Sequence, residues 1–351
     1  MSPEQQEANP AVEGELARHE RGGGLTQKVL YVSAATEQGK VITFKFGGYS
    51  LLGAERMLHA AELVRESLRH ASVTVVVSAM KGVTDRLLGI AQMQTRGECA
   101  QARREADAIV DLHLKTLREL ELEQEDCSRV AQEVKLLGGD LLHLTPLRGP
   151  VNVNASRYDY LASFGERFSA RLFAAALVRI GVSAVPVASS DFVLTCDTFQ
   201  EARPHLEHTC LRGQEVLLPL LQAGIVPVVT GFIGATSDGR ITTLGRNSSD
   251  FSGAIIAHVV DAEELIIWTD VDGIYTTNPK ETVEAKLLHE MSYDEAHALA
   301  ASGAKVLHPH VLPLAAQTEM TVWVRNTFKP QAQGTRIGRS RNLPVQNGGV
   351  A

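Results

Sequence analysis

The sequence has little that would suit it to a membrane or to nucleic acid. No apolar run approaches the roughly 18 residues that a helix needs to cross a bilayer. The opening stretch, Met1 to Leu16, is acidic and polar, unlike a secretory signal. Lys and Arg total 34 against 41 Asp and Glu, a net charge of −7 with no basic block, which argues against a general nucleic-acid surface. The 4 cysteines, Cys99, Cys127, Cys196 and Cys210, lie far apart without C-x-x-C spacing. The expectation is reduced thiols in a cytosolic protein, with no disulfide framework and no thiolate metal site.

The common chemical fingerprints are absent as well. There is no G-x-x-x-x-G-K-[ST] and no strand-linked G-x-G-x-x-G, so neither a P-loop nor a dinucleotide oxidoreductase is expected. Without H-E-x-x-H or G-x-S-x-G, zinc and triad hydrolases lose their support.

What remains is an ordinary α/β composition, 44% apolar and 21% charged over 351 residues. Residues 1–25 are rich in Glu, Gln, Ala and Gly and read as a mobile tail, and the end of the chain, 341–351, reads as loose. Lys28 to Ser33 is expected to be a short strand that turns at Glu37-Gln38-Gly39. Val41 to Phe46 reads as a strand, the segment to Leu68 as a helix, and Ser72 to Ser78 as a buried β-branched strand, which together make a βαβ unit. Arg86 to Leu137 reads as mostly helical with a solvated charged face, and Tyr158 to Ile180 as a further helix. More short strands are expected at Val182 to Val187, Gly224 to Thr230, Glu264 to Thr269 and Thr321 to Arg325, with a loop at Phe232 to Arg240. Strands alternating with helices imply a mainly parallel sheet covered on both faces, with ligands beyond the carboxyl ends of its strands.

The stretch Thr242 to Gly253 organises the rest. It reads as a strand end, a polar loop and the first turn of a helix capped by Ser249 or Asp250. Such a helix end attracts phosphate or carboxylate, and Arg246 adds a planar fork for either. Lys45 lies near a strand end ahead of Gly47-Gly48, where backbone amides can approach an anion. Glu166 could hold an ammonium, Asp270 closes an apolar strand, and Lys305 is a second phosphate lysine. An electrostatic cradle of this kind suits phosphoryl transfer, and a carboxylate acceptor, already ionised at neutral pH, needs no general base.

Five segments occur in order: Lys45-Phe46-Gly47-Gly48, Ser163-Phe164-Gly165-Glu166, Gly245 to Asp250, Trp268 to Tyr275, and Gly303 to Pro309. In this order they resemble the catalytic domain of aspartate kinases, within the amino-acid kinase family, over roughly residues 41–337. The resemblance implies a three-layer αβα sandwich with a mostly parallel sheet of about eight strands. It implies an amino-acid lobe over residues 26–235 and a nucleotide lobe over 236–340. It also implies ATP and Mg2+ as cofactors, L-aspartate or a related amino acid as acceptor, and a homodimer.

Residue by residue, the resemblance gives Lys45, Asp250 and Lys305 to the transfer itself. Gly48, Thr84, Glu166, Arg246 and Ser249 fall to the amino acid, with Glu166 on the ammonium and Arg246 on the α-carboxylate. Gly47, Thr269, Asp270, Tyr275, Lys280 and Lys305 fall to the nucleotide. Tyr49 stands where the family has Thr, and Ser248 where it has Gly. Both are expected beside the acceptor and phosphate, which keeps a different amino acid, or a non-catalytic nucleotide-binding homologue, as alternatives. About fourteen residues follow Ile337, too few for an ACT regulatory domain. The expectation is therefore no feedback control through such a domain.

Overall fold

The structure, a computed structural model, describes residues 39–277, 282, 284–301 and 307–339. The chain divides into a unit of residues 1–33 and a unit of residues 34–351, and the described residues belong to the second. The expected N-terminal tail, the strand at Lys28 to Ser33, the loose end at 341–351, and both Lys280 and Lys305 lie outside the described residues.

The chain opens with β1 (Val41–Phe46), α1 (Ala54–Ser67) and β2 (Ser72–Val77). The helical region that follows divides into α2 (Val83–Thr95), α3 (Cys99–Glu119) and α4 (Gln124–His143). The long α5 (Ala155–Arg179) leads to β3 (Ala184–Val187), α6 (Leu206–Gln222) and β4 (Val226–Thr230). A small hairpin of β5 (Ile233–Ala235) and β6 (Ile241–Thr243) precedes α7 (Ser249–Val259) and β7 (Glu264–Thr269). The last part contains β8 (Ile274–Tyr275), β9 (Leu287–Leu288), β10 (Glu290–Ser292), α8 (Tyr293–Ala301), α9 (Val311–Thr318), β11 (Thr321–Asn326) and β12 (Thr335–Gly338).

Eight strands form one sheet in the order β10-β12-β11-β7-β1-β2-β4-β3, parallel at every pairing except β11 with β12. The expected mostly parallel sandwich is therefore present. Its central strand β1 is buried along its whole length, as a strand covered on both faces must be. Alternation divides its side chains between the layers. Ile42, Phe44 and Phe46 join the core shared with α1 to α5, while Val41 joins the core shared with α6, α7 and α9. Thr43 and Lys45 share the Val41 face, which sends the Lys45 stem beneath α7.

Two expectations need correction. The Phe232 to Arg240 loop contains β5, because Ile233 and Ala235 bury themselves and pair with Thr243 and Ile241. The residue preceding α7 is Ser248, one position before the expected cap, and its hydroxyl makes no capping bond. Its carbonyl instead accepts from the Ser252 amide at 2.9 Å. Short elements such as β8, β9, β10 and β12 carry too few residues to show a period and have no clear signature in the sequence.

Candidate active site

Two helix N-termini meet over the carboxyl ends of β1 and β2. The first belongs to α2, entered through Gly82 in a left-handed conformation (φ 87°). The second belongs to α7, entered through the Gly245 to Ser248 turn, where Gly245 has φ 98° and Asn247 φ 62°. Each presents free backbone N–H groups and a partial positive charge. Between them lies a cleft of about 360 Å³ lined by Lys45, Gly47, Gly48, Ser78 to Gly82, Thr84, Asp85, Glu166 and Arg246 to Asp250. A hydrogen bond from Ser78 Oγ to Ser249 Oγ at 2.8 Å ties the β2 end to the tip of α7.

Lys45 reaches this cleft along β1. A Cβ on Gly253 would stand 3.1 Å from Lys45 Cβ, so the small residue on α7 leaves a channel for the lysine stem. The Lys45 ammonium ends 2.5 Å from Asp250 in the first turn of α7. The lysine is 7% exposed, which keeps its charge poorly screened.

Glu166 lies at the floor. It projects from the middle of α5, and the approach depends on Gly165, where a Cβ would stand 2.5 Å from Ala79 Cβ. The Ala79 amide donates to Glu166 Oε1 at 3.0 Å, while Oε2 is buried without a hydrogen-bond partner. Burial pushes the carboxyl up to about 8, against the pull of the Ala79 amide and the Lys45 charge. A buried carboxylate with a spare oxygen facing a cleft is suited to a substrate cation, which would supply the missing partner.

Arg246 lies at the rim. Its guanidinium donates to Asp85 at 3.0 Å, with both side chains largely exposed, so the pair is weak and exchangeable. Lys45, Gly47, Gly48, Thr84, Glu166, Arg246, Ser249 and Asp250 share one cavity. Ser78, Lys81 and Asp85 also line it and were missed. Ser78 and Lys81 follow the end of β2 and Asp85 lies in the first turn of α2, and that position beyond a parallel strand was the available signal.

Thr269, Asp270 and Tyr275 lie apart from that lining, around the end of β7 and the start of β8. Asp270 is exposed and accepts from Thr269 Oγ1 at 3.2 Å. The neighbouring Asp272 carries the structural bonds, taking Asn326 Nδ2 at 2.5 Å and Lys329 Nζ at 2.8 Å. Lys329 and Asn326 hold its carboxyl below the usual range.

Tyr49, expected beside the acceptor, points elsewhere. Its ring packs edge-on against Phe328 at 5.9 Å, under the Arg56 guanidinium at 4.1 Å, and it is not among the cleft residues. Ser248 does line the cleft, fully buried, with φ −79°, a conformation open to any L-residue.

Among the described residues, no helix is long and apolar enough to cross a membrane, and the 4 cysteines are free thiols.

Residues 40–326 match the family model described as the amino acid kinase family. The chain is 33% identical over 322 residues to the chloroplastic aspartokinase 1 of Arabidopsis thaliana, covering 90% of this chain and 55% of that protein. It is 33% identical over 311 residues to the lysine-sensitive aspartokinase 3 of Escherichia coli (strain K12), covering 87% of this chain and 66% of that one. Among solved structures, it superimposes on E. coli aspartokinase III in complex with aspartate and ADP with a TM-score of 0.75 and 31% identity, covering 86% of this chain and 66% of the other. The chain thus spans between about half and two thirds of the length of these relatives.

Proposed function

Because the chain belongs to the amino acid kinase family, we propose that it transfers the γ-phosphoryl group of ATP to the side-chain carboxylate of L-aspartate, giving 4-phospho-L-aspartate. The observation that carries this reading is the convergence of Lys45, Glu166 and Arg246 on one cleft between two helix N-termini. Resemblance to an aspartokinase solved with aspartate and ADP supports it.

In this reading Glu166 holds the ammonium of the amino acid and Arg246 leaves Asp85 to clamp the α-carboxylate. The side-chain carboxylate then lies near Lys45 and the tip of α7. It is already an anion at neutral pH, so positioning and charge stabilisation suffice. Lys45 meets the charge that develops on the transferring group, and Asp250 fixes the direction of its ammonium. Thr84 and Ser249 supply hydroxyls, and Gly47 and Gly48 supply the close backbone approach.

ATP falls to the end of β7, with Thr269, Asp270 and Tyr275 on the nucleotide, and Lys280 and Lys305 assigned to it by the family pattern. Magnesium would arrive with the phosphates. The exposed Asp270 carboxylate suits that cation, which binds one or two carboxylates alongside phosphate oxygens and water. Residues 26–235 then carry the amino-acid side and 236–340 the nucleotide side. A cytoplasmic homodimer completes the proposal, and light scattering of the purified chain tests the dimer.

The same chemistry on a related amino acid is a second reading, favoured by Ser248. Its hydroxyl is buried in the cleft lining without a hydrogen-bond partner, a donor that an additional acceptor group could use. An ADP-release assay across aspartate, glutamate, cysteate and N-acylated acids separates the two. Arg246→Ala is expected to raise the Michaelis constant of the preferred acceptor strongly. An unchanged value means that the carboxylate is held elsewhere.

A further inference from the structure

Helix α5 carries two buried carboxylates facing the same way. Asp159 and Glu166 are seven residues apart, which is two helical turns, so they lie on one face about 10 Å apart along the axis. Glu166 opens into the cleft, whereas Asp159 is 1% exposed and engaged in structure. Its Oδ2 accepts the backbone N–H of Gln200 at 2.9 Å and of Thr243 at 2.8 Å. Its Oδ1 accepts the Thr243 hydroxyl at 2.9 Å. Burial pushes the Asp159 carboxyl up, and these three donors pull it back.

The two anchored residues belong to segments with unusual backbones. Gln200 has φ 72°, a left-handed conformation that a non-glycine residue adopts only when its surroundings impose it. Thr243 ends β6, three residues before Arg246, and its carbonyl accepts the Ala202 amide at 2.9 Å. Between them the Gly245 turn passes under the Gln200 carbonyl, which would stand 3.8 Å from a Cβ at Gly245. Gln200, Ala202, Gly245 and Arg246 line a second cavity of about 1160 Å³, and Arg246 lines the cleft as well.

We propose that Asp159 is a positioning residue for the acceptor, setting the height of the Gly245 to Asn247 turn and of the 198–203 loop so that Arg246 meets the α-carboxylate of an amino acid whose ammonium is held by Glu166. The proposal rests on the amino-acid kinase reading above. One helix thereby carries the Glu166 carboxylate and also anchors the segment that leads into Arg246. Asp159 touches no substrate and acts through Thr243 and Gln200.

Asp159→Ala removes both carboxylate oxygens and with them all three bonds. It is expected to raise the acceptor KM about tenfold while leaving the KM for ATP unchanged. Thr243→Val removes only the hydroxyl bond and is expected to raise the acceptor KM less; it decides the matter if the first variant does not fold. A rise of both KM values together, or of neither, overturns the assignment.

Amide hydrogen exchange needs no turnover. Asp159→Ala should speed exchange at Gln200 and Thr243 while Ala79, which is bonded to Glu166, stays protected. Unchanged protection at Gln200 and Thr243 overturns the anchor even in an active enzyme. Lost protection in a chain that phosphorylates no acceptor supports the anchor and overturns the kinase reading alone.

Discussion

Lys45 and Asp250 form an ion pair 2.5 Å long at the place where the central strand runs under the first turn of α7. The pair puts a cation at a helix tip that already favours anions, with both side chains largely buried.

Lys45→Ala should reduce turnover by roughly a hundredfold or more, because charge on the transferring group then loses its nearest partner. ATP affinity should change far less, since Thr269 and Asp270, proposed for the nucleotide, lie at the end of β7. Single-turnover kinetics with equilibrium ATP binding checks this, and unchanged turnover removes Lys45 from the mechanism.

Under the proposed function, Glu166 links pH to acceptor binding. Its folded value of about 8 lies above the ordinary 4.5, so the free protein holds it protonated at neutral pH. The stability it contributes is fully present below 4.5 and is lost as pH rises through about 8. Binding an ammonium needs the carboxylate, so kcat/KM for the amino acid should rise toward pH 8. Glu166→Gln should give opposite signs above pH 8, with a higher melting temperature than the parent chain and a much poorer acceptor KM. A variant that loses both, or neither, contradicts this account.

Tyr49→Thr should leave acceptor preference unchanged, because the ring lies between Arg56 and Phe328 rather than in the cleft. The cost should be confined to stability, about 1 kcal/mol for the lost ring and cation contact. A shift in preference among the assayed acids would place the ring in the site during turnover.

His113 makes the fold sensitive to acid. Its Nδ1 donates to the Ile109 carbonyl at 2.6 Å, and the ring stacks on Phe168 at 4.4 Å. Burial lowers its value from 6.5 to about 4, so the unfolded chain binds a proton that the folded chain rejects. Its contribution is complete above 6.5 and is lost as pH falls through about 4, amounting to about 3 kcal/mol for the neutral ring. His113→Phe should flatten the stability profile between these values in urea titrations. A profile that keeps its slope assigns the dependence to another group.

The strand series was legible because β-branched runs such as Ser72–Val77 are buried on both faces and leave little room for another reading. Glu264–Thr269 was likewise bounded correctly, since its apolar run ends abruptly in charge. The site motifs were legible for a different reason. Lys45, Glu166 and Arg246 line one cleft, and the order of their motifs along the chain carries the resemblance. The β5–β6 hairpin was not legible, because three-residue strands show no period and their pairing is decided by neighbours distant in sequence.

By itself the sequence determined the parallel α/β class and singled out eight of the residues that line the cleft, because these follow from local pattern and residue type. Only the tertiary structure decided which charges face one another. It paired Lys45 with Asp250, left one oxygen of Glu166 without a partner, turned Tyr49 away and drew Asp159 onto Gln200 and Thr243. Burial and contact depend on residues more than a hundred positions apart, as with Lys45 and Asp250, and no local pattern in a chain encodes the distance between them.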